Sequence, residues 1–170
     1  MLATEVLMDG FDRVRGAVHS ALAGAGAEAL AYRPDPAANT IAWLAWHVGR
    51  IQDAQIAEVA GNEQVWTAGG WYERFGLPFG AEETGYGQTA DEVAAVRADP
   101  ELLAGYYDAT HARTIDYLRT LSETDFARVV DTYWNPPVTL MVRLVSILAD
   151  DLQHAGQAAY VRGMAKRAGL

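Results

Sequence analysis

The sequence predicts an all-α protein, a four-helix bundle with a long loop excursion between the second and third helices. Apolar residues recur at spacings of three and four over four long segments, which is the period of one helical face. No segment alternates polar and apolar residues with period two for more than a few positions. With 170 residues the chain is long enough for one core, and we assign residues 1–170 to a single domain.

The first two helices flank a segment that contains glycines and two prolines. The first helix covers residues 4 to about 24, and its apolar face is formed by Leu7, Phe11, Val14, Val18 and Leu22. The second helix runs from Ile41 to about Ala60, with Asn39 or Thr40 as its N-cap. Its apolar positions surround most of its circumference, so we expect it to lie centrally in the fold.

The excursion covers residues 61 to about 98, where glycines and aromatic residues follow each other without a sustained period. Such a long loop is usually functional or disordered, and its aromatic content argues against disorder. We expect an ordered loop with one short helix at residues 90–97.

Two capping signals place the remaining helices. Asp99 as N-cap and Pro100 in the first turn start the third helix, which ends near Leu121. Ser122 and Asp125 match a capping box for one further turn. The fourth helix is predicted at residues 138–166.

The composition excludes several classes of function. The chain has no cysteine, which excludes disulfides, thiolate metal sites and cysteine nucleophiles. Its 13 basic and 22 acidic residues give a net charge of -9, which disfavours nucleic-acid binding. No apolar run reaches the ~20 residues that a membrane span needs, and the N-terminus lacks the basic region of a signal peptide. We therefore expect a cytoplasmic protein that acts on a small-molecule substrate, without a nucleic-acid or membrane partner.

A metal site is predicted between the second and fourth helices. Asp150 and His154 lie four residues apart, hence on one helical face. His47 lies on the second helix, whose interior face can meet that of the fourth. Two histidines and one carboxylate suit Zn, Ni, Fe(II) or Mn and leave coordination positions open. The alternatives are an ion pair of Asp150 with Arg50 or Arg143, or a solvated Asp150.

Asp151 and Glu58 are reserve ligands for the same site. Three further residues are candidates for a substrate pocket, and each has a structural alternative. Trp46 walls the pocket or packs in the core. Tyr86 reaches over the site from the excursion or plugs a turn. Gln157 contacts the substrate or packs between helices.

Two long stretches, "WLAWHVGRIQDAQIAEVAG" and "RLVSILADDLQHAGQAAYVRGM", resemble the DinB-like superfamily, and more narrowly its actinobacterial DUF664-type branch. The pieces "GWYERFGLP" and "TGYG" of the excursion extend the resemblance over almost the whole chain. Its most specific element is the run formed by His154, Gly156, Gln157, Arg162 and Gly163. The resemblance implies a four-helix bundle, often a homodimer, with a divalent metal held by one histidine of the second helix and a histidine pair of the fourth.

One position departs from the family pattern, because Asp150 stands where the first histidine of that pair is expected. A carboxylate can still bind a metal and would favour harder ions. The substitution is equally compatible with a member that has lost its metal.

The resemblance also implies a class of reaction. Related proteins include S-transferases and isomerases that use bacillithiol, mycothiol or glutathione, among them the N-terminal domain of mycothiol-dependent maleylpyruvate isomerase. We therefore expect a divalent-metal-dependent enzyme, of the S-transferase or hydrolase type, with a low-molecular-weight thiol as co-substrate. The alternative is a non-catalytic small-molecule-binding or structural bundle protein with a degenerate metal site.

Overall fold

The structure, a computed structural model, describes residues 3–170. That part of the chain is mostly helical. In chain order the helices are α1 (Ala3–Leu22), α2 (Ala27–Leu30), α3 (Ile41–Ala60), α4 (Val65–Ala68), α5 (Trp71–Phe75), α6 (Ala90–Ala95), α7 (Pro100–Thr120) and α8 (Leu140–Arg167). A 3₁₀ turn at Asp125–Ala127 and two short strands, β1 (Val129–Asp131) and β2 (Val138–Thr139), lie between α7 and α8.

The four long helices α1, α3, α7 and α8 form the body of the fold. Helices α1 and α3 each pack against both α7 and α8. The central position of α3 agrees with its sequence, because 15 of its 20 residues are buried. The contact between α3 and α8 is the one that brings the predicted ligands together. No helix within residues 3–170 has the length and apolarity to cross a membrane.

The ends of α3 follow from its capping residues. Thr40, one of the two predicted N-caps, accepts a hydrogen bond from the Trp43 N–H through its Oγ1 at 3.1 Å. Gly61 ends the helix with a φ of 67°, a left-handed conformation that glycine adopts without a steric cost.

The excursion contains more helix than the sequence predicts, because α4 and α5 precede the expected short helix α6. The carboxylate of Asp53 on α3 accepts the N–H groups of Val65 and Trp66, at 2.8 and 2.7 Å, and so caps the first turn of α4 from a distance. Thr89 and Glu92 form a capping box that starts α6.

The hairpin of β1 and β2 corrects the all-α prediction. Val129 pairs with Thr139 and Asp131 pairs with Val138 in antiparallel register. Strands of two or three residues are too short to show alternation, which is why the pattern missed them. The pairing also delays the start of α8 to Leu140, where Thr139 accepts a hydrogen bond from the Val142 N–H.

Candidate metal centre

Three potential metal ligands converge where α3 packs against α8. His47, Asp150 and His154 each offer one ligand atom, and these atoms lie within 4.8 Å of one another. His47 Nε2 is 4.0 Å from Asp150 Oδ2, and His154 Nε2 is 3.6 Å from Asp150 Oδ1. The two imidazole rings are nearly perpendicular, with centroids 4.8 Å apart. The structure thus joins residues that are about a hundred positions apart in sequence.

The site is open to solvent on one side. The side chain of His47 is 7% exposed, that of His154 is 21% exposed and that of Asp150 is 40% exposed. His47 therefore forms the floor and Asp150 the rim. The side of the site that faces solvent is therefore the side of Asp150 and His154.

The distance from Asp150 to each histidine is compatible with a shared divalent cation. Ligand atoms about 2.0–2.2 Å from one zinc ion lie roughly 3–4 Å from each other. The two distances to Asp150 fall in that range and are too long for direct hydrogen bonds. Asp150 Oδ2 is buried and has no hydrogen-bond partner within residues 3–170. A buried carboxylate oxygen without a partner is costly unless a cation or water contacts it.

His47 is held in one orientation by the excursion. Its Nδ1 lies 2.6 Å from the carbonyl oxygen of Thr84, so Nδ1 carries the proton and donates it. The lone pair is then on Nε2, the nitrogen that faces Asp150. The Trp43 ring stacks on the imidazole at 4.5 Å with an interplanar angle of 11°.

Gly85 allows this close approach of the excursion. Its φ is 97°, and a Cβ atom there would lie 2.8 Å from His47 Nδ1 and 2.9 Å from Trp43 Cζ2. Any other residue would push the Thr84 carbonyl away from the imidazole.

His154 is oriented by a side chain of its own helix. Its Nδ1 lies 2.8 Å from Gln157 Oε1, so Nδ1 donates and Nε2 faces Asp150. Trp43 presents its edge to this ring at 6.3 Å and donates its indole N–H to Gln88 Oε1 at 2.7 Å. In the neutral form of each imidazole, the Nε2 lone pair therefore faces Asp150.

Burial lowers the pKa of the His47 imidazole below its usual value, and the neighbouring His154 adds to this effect. The hydrogen bond to Thr84 and the charge of Asp150 act in the opposite direction without reversing it. A neutral imidazole is the form that binds a metal, so His47 is ready to act as a ligand near neutral pH.

The three predicted pocket residues occupy different places. Trp46 is buried, and its ring packs against Trp66 and Phe79 in the core. Tyr86 is 90% exposed and makes no ring contact or hydrogen bond within residues 3–170. Gln157 alone of the three contacts a proposed ligand, which it orients.

The two arginines considered as partners of Asp150 are engaged elsewhere. Arg50 donates to the carbonyl oxygens of Glu83 and Ala81 at 3.0 and 2.9 Å. Arg143 pairs with Asp131 at 2.9 Å and with the reserve ligand Glu58 at 3.7 Å. The other reserve, Asp151, is fully buried on the inner side of α8. Within residues 3–170, the basic side chains that lie within 4.0 Å of the Asp150 carboxylate are the two histidines.

Sequence reasoning missed the supporting residues Trp43, Thr84, Gly85 and Gln88. Trp43 precedes His47 by four residues, a spacing that places both on one helical face and that could have suggested the stacking. Thr84 acts through its backbone carbonyl, which leaves no signal in the residue type. The only signal for this loop is the "TGYG" piece itself.

Comparison with known proteins identifies the family of this chain. The sequence profile of the DinB superfamily matches residues 10–158. The chain belongs to the DinB superfamily. A solved crystal structure, described as that of a conserved protein from Enterococcus faecalis, is 34% identical to this DinB-superfamily chain. The match covers 95% of this chain and 96% of that one, with a TM-score of 0.89. The search of curated proteins found no match.

DinB-superfamily proteins bind metals, and this member has a group of residues suited to that role. Membership in the superfamily therefore agrees with the grouping of His47, Asp150 and His154.

Proposed function

We propose that this chain is a divalent-metal-dependent enzyme in which the four long helices act as a four-helix bundle and His47, Asp150 and His154 hold the ion. The observation that carries the proposal is the convergence of three ligand atoms within 4.8 Å of one another, with Asp150 and His154 partly exposed to solvent. A set of two imidazoles and one carboxylate suits Zn, Ni, Fe(II) or Mn.

The reaction we propose is transfer of a low-molecular-weight thiol to a small electrophile. The chain has no cysteine, so a sulfur nucleophile must come from a second molecule. A bound divalent ion would lower the pKa of a thiol or of water so that the anion forms near neutral pH. The resemblance to thiol-dependent transferases of the DUF664-type branch and its relatives favours the thiol over water.

The chain's own residues keep the site in one arrangement. Thr84 and Trp43 fix the imidazole of His47, and Gln157 fixes that of His154. Ligands oriented in this way do not have to reorganise when a substrate binds. His47 at the floor is shielded from water, so the substrate approaches from the side of Asp150 and His154.

Metal content tests the first part of the proposal. Protein purified without a histidine tag is expected to contain about one equivalent of divalent metal by elemental analysis, and His154→Ala is expected to lose it. The matched control is His19→Ala, since the His19 side chain is 41% exposed and pairs with Asp108 instead of the proposed ligands. Absence of metal, together with no thermal shift on addition of Zn, Ni, Mn or Fe(II), would overturn the metal site.

Thiol transfer is tested separately with glutathione and 1-chloro-2,4-dinitrobenzene. Sulfur bonds to the aromatic carbon, the carbon–chlorine bond breaks, chloride leaves with the electron pair, and the thiol proton goes to solvent. Metal-loaded protein is expected to accelerate this reaction, and His154→Ala to abolish the acceleration. If metal-loaded protein accelerates the reaction of none of the three thiols glutathione, bacillithiol and mycothiol, a low-molecular-weight thiol is not the co-substrate. That result would leave the proposed metal site unaffected.

A non-catalytic binding protein is the second candidate. It is favoured by Asp150, which replaces a family histidine, and by the stacking of His47 on Trp43, which also suits a core residue. In that case His47→Ala lowers the free energy of unfolding of the metal-free protein, and added metal changes nothing. Metal titration of the wild-type protein decides between the two candidates.

A further inference from the structure

A second cavity, of about 360 Å³, lies at the N-terminal end of α3 between α2, α5 and the start of α7. Its walls are mainly apolar, formed by Ala27, Leu30, Ala31, Ala42, Phe75, Ala98 and Leu102. Concave apolar surfaces of this size accept small organic molecules when a few polar groups fix their orientation. None of the residues that form or orient the metal centre lines this cavity.

Two arginines supply such polar groups. Arg74 and Arg97 both line the cavity, and neither takes part in the ion pairs found within residues 3–170. The guanidinium of Arg74 lies 3.9 Å from the centre of the Trp71 ring. The Nε–H of Arg97 donates to the carbonyl oxygen of Ala94 at 2.9 Å. Its two terminal nitrogens have no hydrogen-bond partner within residues 3–170.

The charge of the cavity is unusual for this molecule. The chain as a whole carries a net charge of -9, yet the charged residues that line this cavity are two arginines, Arg74 and Arg97, and one aspartate, Asp99. The local charge is therefore +1. A ligand that carries one negative charge would neutralise it, whereas a cation would be repelled.

We propose that this cavity binds a small organic monocarboxylate. The apolar body packs on Leu30, Phe75 and Leu102, and the carboxylate is held by Arg74 and Arg97. Guanidinium groups bind carboxylates through paired N–H donors, and an apolar body gains free energy by leaving water. The stacking of Arg74 on Trp71 restricts that guanidinium before a ligand arrives.

The probe for this site is phenylacetate, with phenylacetamide as the neutral molecule of the same shape. In an amide NMR titration of the full chain, we expect saturable shifts at Ala31, Ala98 and Leu102 with phenylacetate. Phenylacetamide is expected to bind at least about tenfold more weakly, because it lacks the charge that the arginines recognise.

Two variants and one control test whether Arg74 and Arg97 bind the carboxylate. Arg74→Gln and Arg97→Gln are each expected to weaken phenylacetate about tenfold or more. Arg113→Gln is the matched control, because Arg113 is an exposed arginine of α7 that forms no ion pair in the described residues and lies away from this cavity. All three substitutions are at exposed positions, and unchanged thermal melting confirms that the variants fold.

The proposal is overturned if phenylacetate produces no saturable shift up to roughly 20 mM, a weak limit for so small a ligand. It is also overturned if Arg74→Gln and Arg97→Gln both bind phenylacetate as tightly as Arg113→Gln does. The same holds if the wild-type protein binds phenylacetamide as tightly as phenylacetate. Binding of inorganic phosphate as tightly as phenylacetate would show that the apolar walls play no part. None of these outcomes depends on whether the metal centre is loaded.

Discussion

His47 carries more of the site than any other residue, because it is at once a core side chain and a proposed ligand. It is buried, its Nδ1 donates to a backbone carbonyl, and a tryptophan stacks on its ring. These contacts leave Nε2 as the only ring nitrogen available to an ion. The geometry of this one residue therefore depends on a loop 37 positions away in sequence.

Gly85→Ala is expected to disrupt that geometry. The added methyl group would lie 2.8 Å from His47 Nδ1 and would also meet Trp43. We expect a loss of about 2–4 kcal/mol in the free energy of unfolding and at least about tenfold weaker zinc binding. Urea unfolding of metal-free protein and calorimetric zinc titration measure the two effects.

Gly87→Ala is the control for this variant. Gly87 also has a positive φ, 73°, but a Cβ there meets nothing within 4 Å. It shares the backbone strain without the clash, so its zinc affinity should stay at the wild-type level. Equal losses of affinity in the two variants would mean that contact with His47 is not the cause.

Asp151 gives a test of pH dependence at the residue scale. Complete burial raises the pKa of its carboxyl well above the usual range, and the charge of Asp150 adds to the effect. The folded state therefore favours the protonated form. The contribution of protonated Asp151 to the free energy of unfolding is fully present below the ordinary carboxyl pKa of ~4. As the pH rises, this contribution is lost, because the carboxyl of the unfolded chain ionises more readily than that of the folded chain.

Asp151→Asn removes this ionisation. In the presence of EDTA, we expect the variant to be more stable than the wild-type protein at pH 7, and the difference to shrink towards pH 4. Asp116→Asn, at an exposed position, is expected to change stability by less than about 0.5 kcal/mol. A gain at pH 7 that stays the same at pH 4 would contradict the explanation.

At the scale of elements, α3 organises the excursion as well as the metal centre. Asp53 caps α4 through two backbone N–H groups, accepts the Tyr106 hydroxyl at 3.0 Å and lies 3.7 Å from Arg50. Arg50 in turn binds the carbonyl oxygens of Ala81 and Glu83, just before the loop that orients His47. The start and the middle of the excursion are thus attached to one turn of α3.

Asp53→Ala should release this attachment. It leaves two buried N–H groups without their acceptor and the buried Arg50 guanidinium without the negative charge 3.7 Å away, so we expect a loss of about 3–5 kcal/mol in the free energy of unfolding. Hydrogen exchange at the amides of Val65 and Trp66 should accelerate more than at the centre of α7. Asp9→Ala, which removes an exposed pair with Arg13, serves as the control and should cost under about 1 kcal/mol.

At the scale of the whole molecule, α8 has one face on the metal centre and another exposed to solvent. The exposed face carries large apolar side chains, namely Met141, Val145, Leu152 and Tyr160, each between 44% and 69% exposed. Exposed apolar surface of this kind often contacts another protein. The homodimer implied by the family resemblance remains a prediction, and this face is where we expect the second copy.

Light scattering after size-exclusion chromatography measures the oligomeric state directly. We expect the mass of a dimer for the wild-type protein and of a monomer for Leu152→Glu, because a buried unpaired charge would disrupt the contact. Ala112→Glu, at an exposed position of α7, should stay dimeric. A wild-type monomer at micromolar concentration would contradict the expectation.

The sequence by itself determined the elements whose signals are local. The limits of α3 and α7 follow from caps and periodicity, and the spacing of Asp150 and His154 places both on one helical face. Only the tertiary structure decided what depends on residues distant in the chain. It brought His47 to that pair, attached the excursion to Asp53, formed the short hairpin and placed Arg74 and Arg97 at one cavity. The physical reason is that caps and helical faces depend on side chains a few residues apart, which the sequence shows directly. The acceptor for His47 is the backbone carbonyl of Thr84, and because every residue has such a carbonyl, the residue type does not reveal the contact.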